Sequence, residues 1–99
     1  MKGDKEMELL IKFVKAVKSG NVSKIKECVK LGVDVNYADG ADGCTALIDA
    51  SKRGKKPEVI KTLLEAGADK NIKDDDEYTA LDHAKELNYT KTIKILEEA

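Results

Sequence analysis

Two short strings in this chain recur at nearly constant spacing. Gly32-Val33-Asp34-Val35-Asn36 returns 35 residues later as Gly67-Ala68-Asp69-Lys70-Asn71, and Cys44-Thr45-Ala46-Leu47 returns 34 residues later as Tyr78-Thr79-Ala80-Leu81. A period this short constrains the fold more than any other feature. Each unit has room for one small supersecondary element and must bury its apolar side against the next copy. Setting Ala16 and Gly20 under Ala50 and Gly54 recovers a more divergent copy upstream, with Phe13 on Leu47, Ile25 on the Val59-Ile60 step, and Cys28-Val29 on Leu63-Leu64. The expectation is one domain over residues 1–99, in units 7–36, 37–71 and 72–99, with the outer two acting as caps.

Within a unit the apolar spacing is helical and twice interrupted by turn residues. Leu47 and Ala50 share a face before Gly54, and Val59, Ile60, Leu63 and Leu64 share one before Gly67. Thr45 and Thr79 stand where an N-cap hydroxyl can accept from free amides, and Asp82 suits the first turn after Thr79. Gly32 and Gly67 sit where a helix stops in a left-handed conformation, and Pro57 fits a first turn that needs no amide hydrogen. The pattern predicts helices near 7–18, 22–31, 46–53, 57–66, 80–87 and 90–98. With one Phe, three Tyr and no Trp, the core must be aliphatic, which suits packed short helices better than a sandwich or barrel.

These residues resemble the ankyrin family, whose unit of about 33 residues carries a T-P-L-H-x-A signature ahead of a helix pair. Here the signature stands as Thr45-Ala46-Leu47-Ile48-Asp49-Ala50 and Thr79-Ala80-Leu81-Asp82-His83-Ala84. The family's G-A-D-V-N segment matches Gly32 to Asn36 and Gly67 to Asn71, and its paired leucines match Leu63 and Leu64. The resemblance implies an all-α solenoid of about three helix-turn-helix units joined by short β-hairpin-like loops. Departures occur where the family's Pro is Ala46 and Ala80 and its His is Ile48 and Asp82, so hydrogen bonds made by that His should be absent. The second unit carries extra residues around Lys55 to Pro57 and in the loop from Asp39 to Gly43, and Asn88 replaces the Gly between the last two helices.

Nothing in the chain has the residue spacing of a catalytic or cofactor site. No P-loop, dinucleotide fingerprint or nucleophile elbow is present, so an enzyme is not expected and no cofactor or metal is called for. His83, with Asp82 and Glu86 close in sequence, is read as a structural residue on a helix. The run Asp74-Asp75-Asp76-Glu77 lacks the Gly and Glu positions of a calcium loop and is read as a polar loop tip. Cys28 takes the place of a core leucine and should be buried, whereas Cys44, just ahead of an N-cap, should be exposed. These two thiols lie sixteen apart without metal-ligand spacing, and no signal-peptide stretch opens the chain, pointing to a reducing cytoplasmic setting. The longest apolar run is three residues, as at Leu9-Leu10-Ile11, against about twenty for a membrane span.

What remains is binding. The resemblance implies a partner protein held on the concave side by loop tips and by residues late in the first helix of each pair. Carried onto this chain, the tips are Ala38, Gly40, Ala41 and Cys44, then Lys73, Asp75, Asp76 and Tyr78. The helix positions are Lys18 and Ser19, Lys52 and Arg53, and Glu86 and Leu87. Charge is patterned along the chain: residues 34–44 and 67–79 each net −3, while residues 1–33 hold eight lysines against four acids. A formal net charge of −1 argues against a general affinity for nucleic acid or membrane. The expected role is a monomeric adaptor or inhibitor. The alternatives are an assembly subunit stacking on another array, or a polyanion-binding protein using Lys52, Arg53, Lys55 and Lys56.

Overall fold

The structure is a computed structural model describing residues 2–38 and 41–99, with side chains from Lys5 onward. Among the described residues the chain forms six helices: α1 (Lys2–Ser19), α2 (Val22–Lys30), α3 (Ala46–Lys52), α4 (Pro57–Glu65), α5 (Ala80–Glu86) and α6 (Thr90–Glu98). Each odd-numbered helix packs on the even-numbered helix that follows it. Helices α1, α3 and α5 form one layer and α2, α4 and α6 a second, so successive pairs stack along one axis. The resulting body measures 42 × 27 × 20 Å.

Local chemistry sets the helix limits. Thr45 Oγ1 accepts from the Ile48 amide at 3.3 Å. Thr79 goes further: its hydroxyl accepts from the Asp82 amide at 3.2 Å while Asp82 Oδ2 accepts from the Thr79 amide at 3.0 Å, closing a capping box. Asp82, which stands where the family has His, thus serves the start of its own helix, and Ile48 at the same place is buried in the core. The turn inside each pair needs one left-handed residue. Gly54 supplies it in the second pair at φ +65°, with Tyr89 so close that an added Cβ would lie 2.8 Å from its ring; Asn88 supplies it in the third at φ +60°.

One expectation needs correction. Helix α1 begins at Lys2 instead of near residue 7. Core periodicity starts only around Met7, but Lys5 and Glu6 ahead of it are good helix formers and prolong the helix without burying anything. The loops joining the pairs contain no strand among the described residues. In the second loop a single pairing, the Asp74 amide donating to the Tyr78 carbonyl at 2.9 Å, stands in for a hairpin ladder.

One continuous core runs through both layers, from Phe13 in α1 and Ile25 in α2 through Leu47, Ile60 and Leu63 to Leu96 in α6. Side chains also tie the stack, Asn36 through two bonds. Asn36 Nδ2 donates to the Gly67 carbonyl at 3.1 Å and its Oδ1 accepts from the Asp69 amide at 2.7 Å, joining the end of the first unit to the end of the second. Asn71 holds the same place one unit later, and its side chain makes no hydrogen bond. Asn36→Ala is therefore expected to lower stability by about 1 kcal/mol, the net value of such bonds near solvent, while Asn71→Ala changes it by a few tenths at most, both read from urea unfolding.

Candidate functional site

Helix α1 is amphipathic in two directions. Phe13, Ala16 and Val17 are buried, and Leu9 and Leu10 pack partly against the same core. A second row, Met7, Ile11 and Val14, is turned away from it and is 52%, 47% and 37% exposed. Spacings of four and three place these residues on one stripe of the helix. Tyr37 from the first loop, 45% exposed, stands beside them. Together with Leu10 and Val17 of α1 and Ala46 of α3 they line a groove between α1, the first loop and α3. Its charged lining is Lys18, Asp42, Asp49 and Arg53, and Cys44 also lines it.

The polar residues of the groove are held in place. Asp42 Oδ1 accepts from the Cys44 amide at 3.1 Å, and this bond holds the carboxyl below the ordinary range. Arg53 Nε reaches both carboxylate oxygens of Asp49 at 3.0 Å, one turn back on α3. Cys44 corrects an expectation, since it is only 6% exposed. Its amide is drawn inward by Asp42, and Lys52 Nζ lies 3.8 Å from its sulfur. Burial, ahead of the nearby acids, pushes its thiol up to about 11. A thiol so placed is a poor nucleophile at neutral pH. Cys28, expected inside, is buried, and its thiol is also raised by burial.

A second recess lies at the opposite end of the same layer, lined by Lys52, Asp76, Tyr78, His83, Glu86 and Leu87. Its architecture rests on Asp74. That residue, assigned above to a polar tip, is buried. Its Oδ1 accepts from the amides of Asp76 and Tyr78, each at 3.0 Å, and its Oδ2 lies 2.7 Å from His83 Nε2. Burial acts to raise the Asp74 carboxyl, but the bonds from His83, Tyr78 and Asp76 outweigh it and hold the group below its usual value. An ionised acceptor at that distance requires the proton on Nε2. Tyr78 packs on the imidazole, with ring centroids 5.0 Å apart. The acid that His83 meets is Asp74, not Asp82 or Glu86, which are nearer to it in sequence.

The two loops also meet. The Asp75 amide donates to the Asp42 carbonyl at 3.0 Å. Gly43, at φ +72°, leaves space for Asp75, whose Oδ1 would lie 2.5 Å from any added Cβ. This contact sets the second acidic tip, with exposed Asp75, Asp76 and Glu77, alongside Asp42.

The expected binding residues are thus divided between two recesses. Lys18, Arg53 and Cys44 belong to the first, and Lys52, Asp76, Tyr78, Glu86 and Leu87 to the second. Ser19, Ala38, Ala41, Lys73 and Asp75 are exposed but line neither, and Gly40 lies outside the described residues. Met7, Ile11 and Val14 were not anticipated, although their spacing on α1 marks a second apolar stripe. The basic run from Lys52 to Lys56 is partly engaged within the chain: Arg53 with Asp49, Lys52 over Cys44, and Lys55 with the Lys18 carbonyl. Among the described residues no cluster of three His, Cys, Asp or Glu side chains could hold a metal ion, and no helix is long and apolar enough to cross a membrane.

Paired helices stacked in two layers, with threonine caps and left-handed turns repeating in register, define a helical repeat protein. Residues 13–99 match the family described as ankyrin repeats in three copies, and the chain belongs to the ankyrin-repeat family. It is 38% identical over 73 residues to the Arabidopsis thaliana protein "Putative E3 ubiquitin-protein ligase XBAT34", covering 73% of this chain and 19% of that one. It is 34% identical over 83 residues to the rat (Rattus norvegicus) "Ankyrin repeat and SAM domain-containing protein 6", covering 82% and 9%. Against "Putative ankyrin repeat protein YahD" of Escherichia coli K12 it is 37% identical over 62 residues, covering 63% and 30%. The chain therefore spans less than a third of the length of these relatives. Ankyrin repeats are in general protein-interaction modules.

Proposed function

We propose that this chain is a protein-binding module, an adaptor or inhibitor, whose partner lies along the face carrying α1, α3, α5 and the loop tips. The observation that carries this reading is the exposed row Met7, Ile11 and Val14 beside Tyr37. Large apolar side chains held together on a groove wall, away from the core, are most readily explained by a partner that covers them. Tyr37, Tyr78 and Arg53 on the same face are of the residue types that anchor protein interfaces. The three units act as one domain with the outer pair as caps, and the partner is another protein, bound by a monomer. A reducing intracellular setting suits two thiols, Cys28 and Cys44, that are free and buried.

The test compares wild type with Ile11→Glu and with an Arg53→Glu, Tyr78→Ala double variant in capture from lysate of the source organism, after circular dichroism has shown all three folded. All these positions are exposed, so the fold should survive. Each variant is expected to weaken capture of the specific partner by about tenfold or more, as loss of an interface anchor does. Equal capture by all three would move the site off this face.

A further inference from the structure

We infer that the groove along α1 takes an amphipathic helix whose apolar positions recur at i and i+4 and whose flank toward the loops carries Lys or Arg. This inference rests on the groove being the binding face, and it adds the shape and charge of what binds there.

The shape follows from the ridge and from what is missing beside it. Met7, Ile11 and Val14 form a straight ridge of about two helical turns, roughly 10 Å long. Spacings of four and three are those by which one helix seats its side chains between the ridges of another. No free strand edge occurs among the described residues, so a partner cannot add to this chain as a further strand. The backbone of α1 is bonded within its own helix and offers a partner only side chains.

The charge follows from the rim. On one side the ridge is bordered by Glu6 and Asp34, which line a shallow cleft together with Met7, Leu10 and Tyr37. Farther along the same side lies Asp42, whose carboxylate is fixed by the Cys44 amide, while the side turned away from the loops carries Glu8, Lys12 and Lys15. The Asp75 amide on the Asp42 carbonyl brings Asp75, Asp76 and Glu77 to the same rim. Of the cations lining the groove, Arg53 is matched by Asp49 at 3.0 Å, and Lys18 stands at the far end of the ridge. A helix with an acidic flank toward the loops would meet these carboxylates, whereas a basic flank there would pair with them. Such rims steer association and discriminate between partners more than they add affinity.

The probe is a display library of random peptides, each of about five helical turns, selected on the wild-type chain and then measured singly by fluorescence anisotropy. Selected peptides should be net positive with apolar residues at i and i+4, and should bind Ile11→Glu about tenfold more weakly or worse. Against a Glu6→Gln, Asp34→Asn, Asp42→Asn variant they should weaken several-fold and lose most of their salt dependence. Recovery of acidic or neutral peptides, recovery of none, or indifference to the charge variant would overturn the inference. Acidic peptides lost on Ile11→Glu would leave the groove as the binding face and remove only the basic class. Basic peptides held equally by Ile11→Glu would remove the groove itself. Wild-type self-association abolished by Ile11→Glu would assign the groove to a second copy of the chain, which also overturns it.

Discussion

Leu63→Ala is expected to lower the free energy of unfolding by about 3 kcal/mol, within the range for deleting a fully buried leucine. Leu63 is 0% exposed in α4, the middle helix of its layer, where α2 and α6 pack on either side. Neither neighbour can close the void without leaving its own partner in the other layer. A domain of this size has a stability of only about 5 to 15 kcal/mol, so the loss is a large fraction of the whole. One helix pair is too small to hold together alone, and stability depends on stacking. The variant should therefore show a single urea transition moved to lower concentration, with its slope retained. Leu31→Ala, at a position 65% exposed, serves as the control and should change stability by no more than about 0.5 kcal/mol.

Asp74→Ala should cost nearly as much, about 2 to 3 kcal/mol, through lost acceptors instead of lost packing. Removing the carboxylate deprives His83 Nε2 and the amides of Asp76 and Tyr78 of their common partner. The pair is well shielded, with the Asp74 and His83 side chains 3% and 15% exposed, so water cannot readily replace what is lost. Asp74→Asn keeps an acceptor and should lose less. The contribution also has a definite pH dependence. Because the folded carboxyl is held below its ordinary value, its stabilisation is complete above the unfolded value of about 3.9 and disappears as pH falls through the lower folded one. The difference between wild type and Asp74→Asn, measured by urea unfolding at stepped pH, should be constant near neutrality and shrink below about pH 4. A difference that grew in acid would mean that the carboxyl is raised by burial instead.

The helical scaffold was legible because caps and stops are written in local sequence. Thr45, Thr79, Pro57, Gly32 and Gly67 fix where helices begin and end, and the left-handed Asn88 could be read as a glycine substitute. What could not be read depends on the paths of the loops. His83 and Asp74 are nine residues apart and meet only because the second loop folds over the start of α5. Asp82, the nearer candidate, is occupied by Thr79. Cys44 looked exposed because it precedes an N-cap, yet the turn made by Asp42 draws it inward beside the groove. The ridge on α1 was present in the spacing of Met7, Ile11 and Val14. Alignment of Phe13 with Leu47 marks only the row that faces the core and assigns the first unit to a cap.

The most direct test of the account is hydrogen–deuterium exchange on the free chain and on its complex with the captured partner. Binding along the groove should slow exchange of side-chain-covered amides in the middle of α1, around Tyr37 and at the start of α3, with a smaller effect near Tyr78. Helices α2, α4 and α6 should stay unchanged. Protection confined to those three helices, with α1 and the loops exchanging as in the free chain, would contradict the assignment of this face as the binding surface.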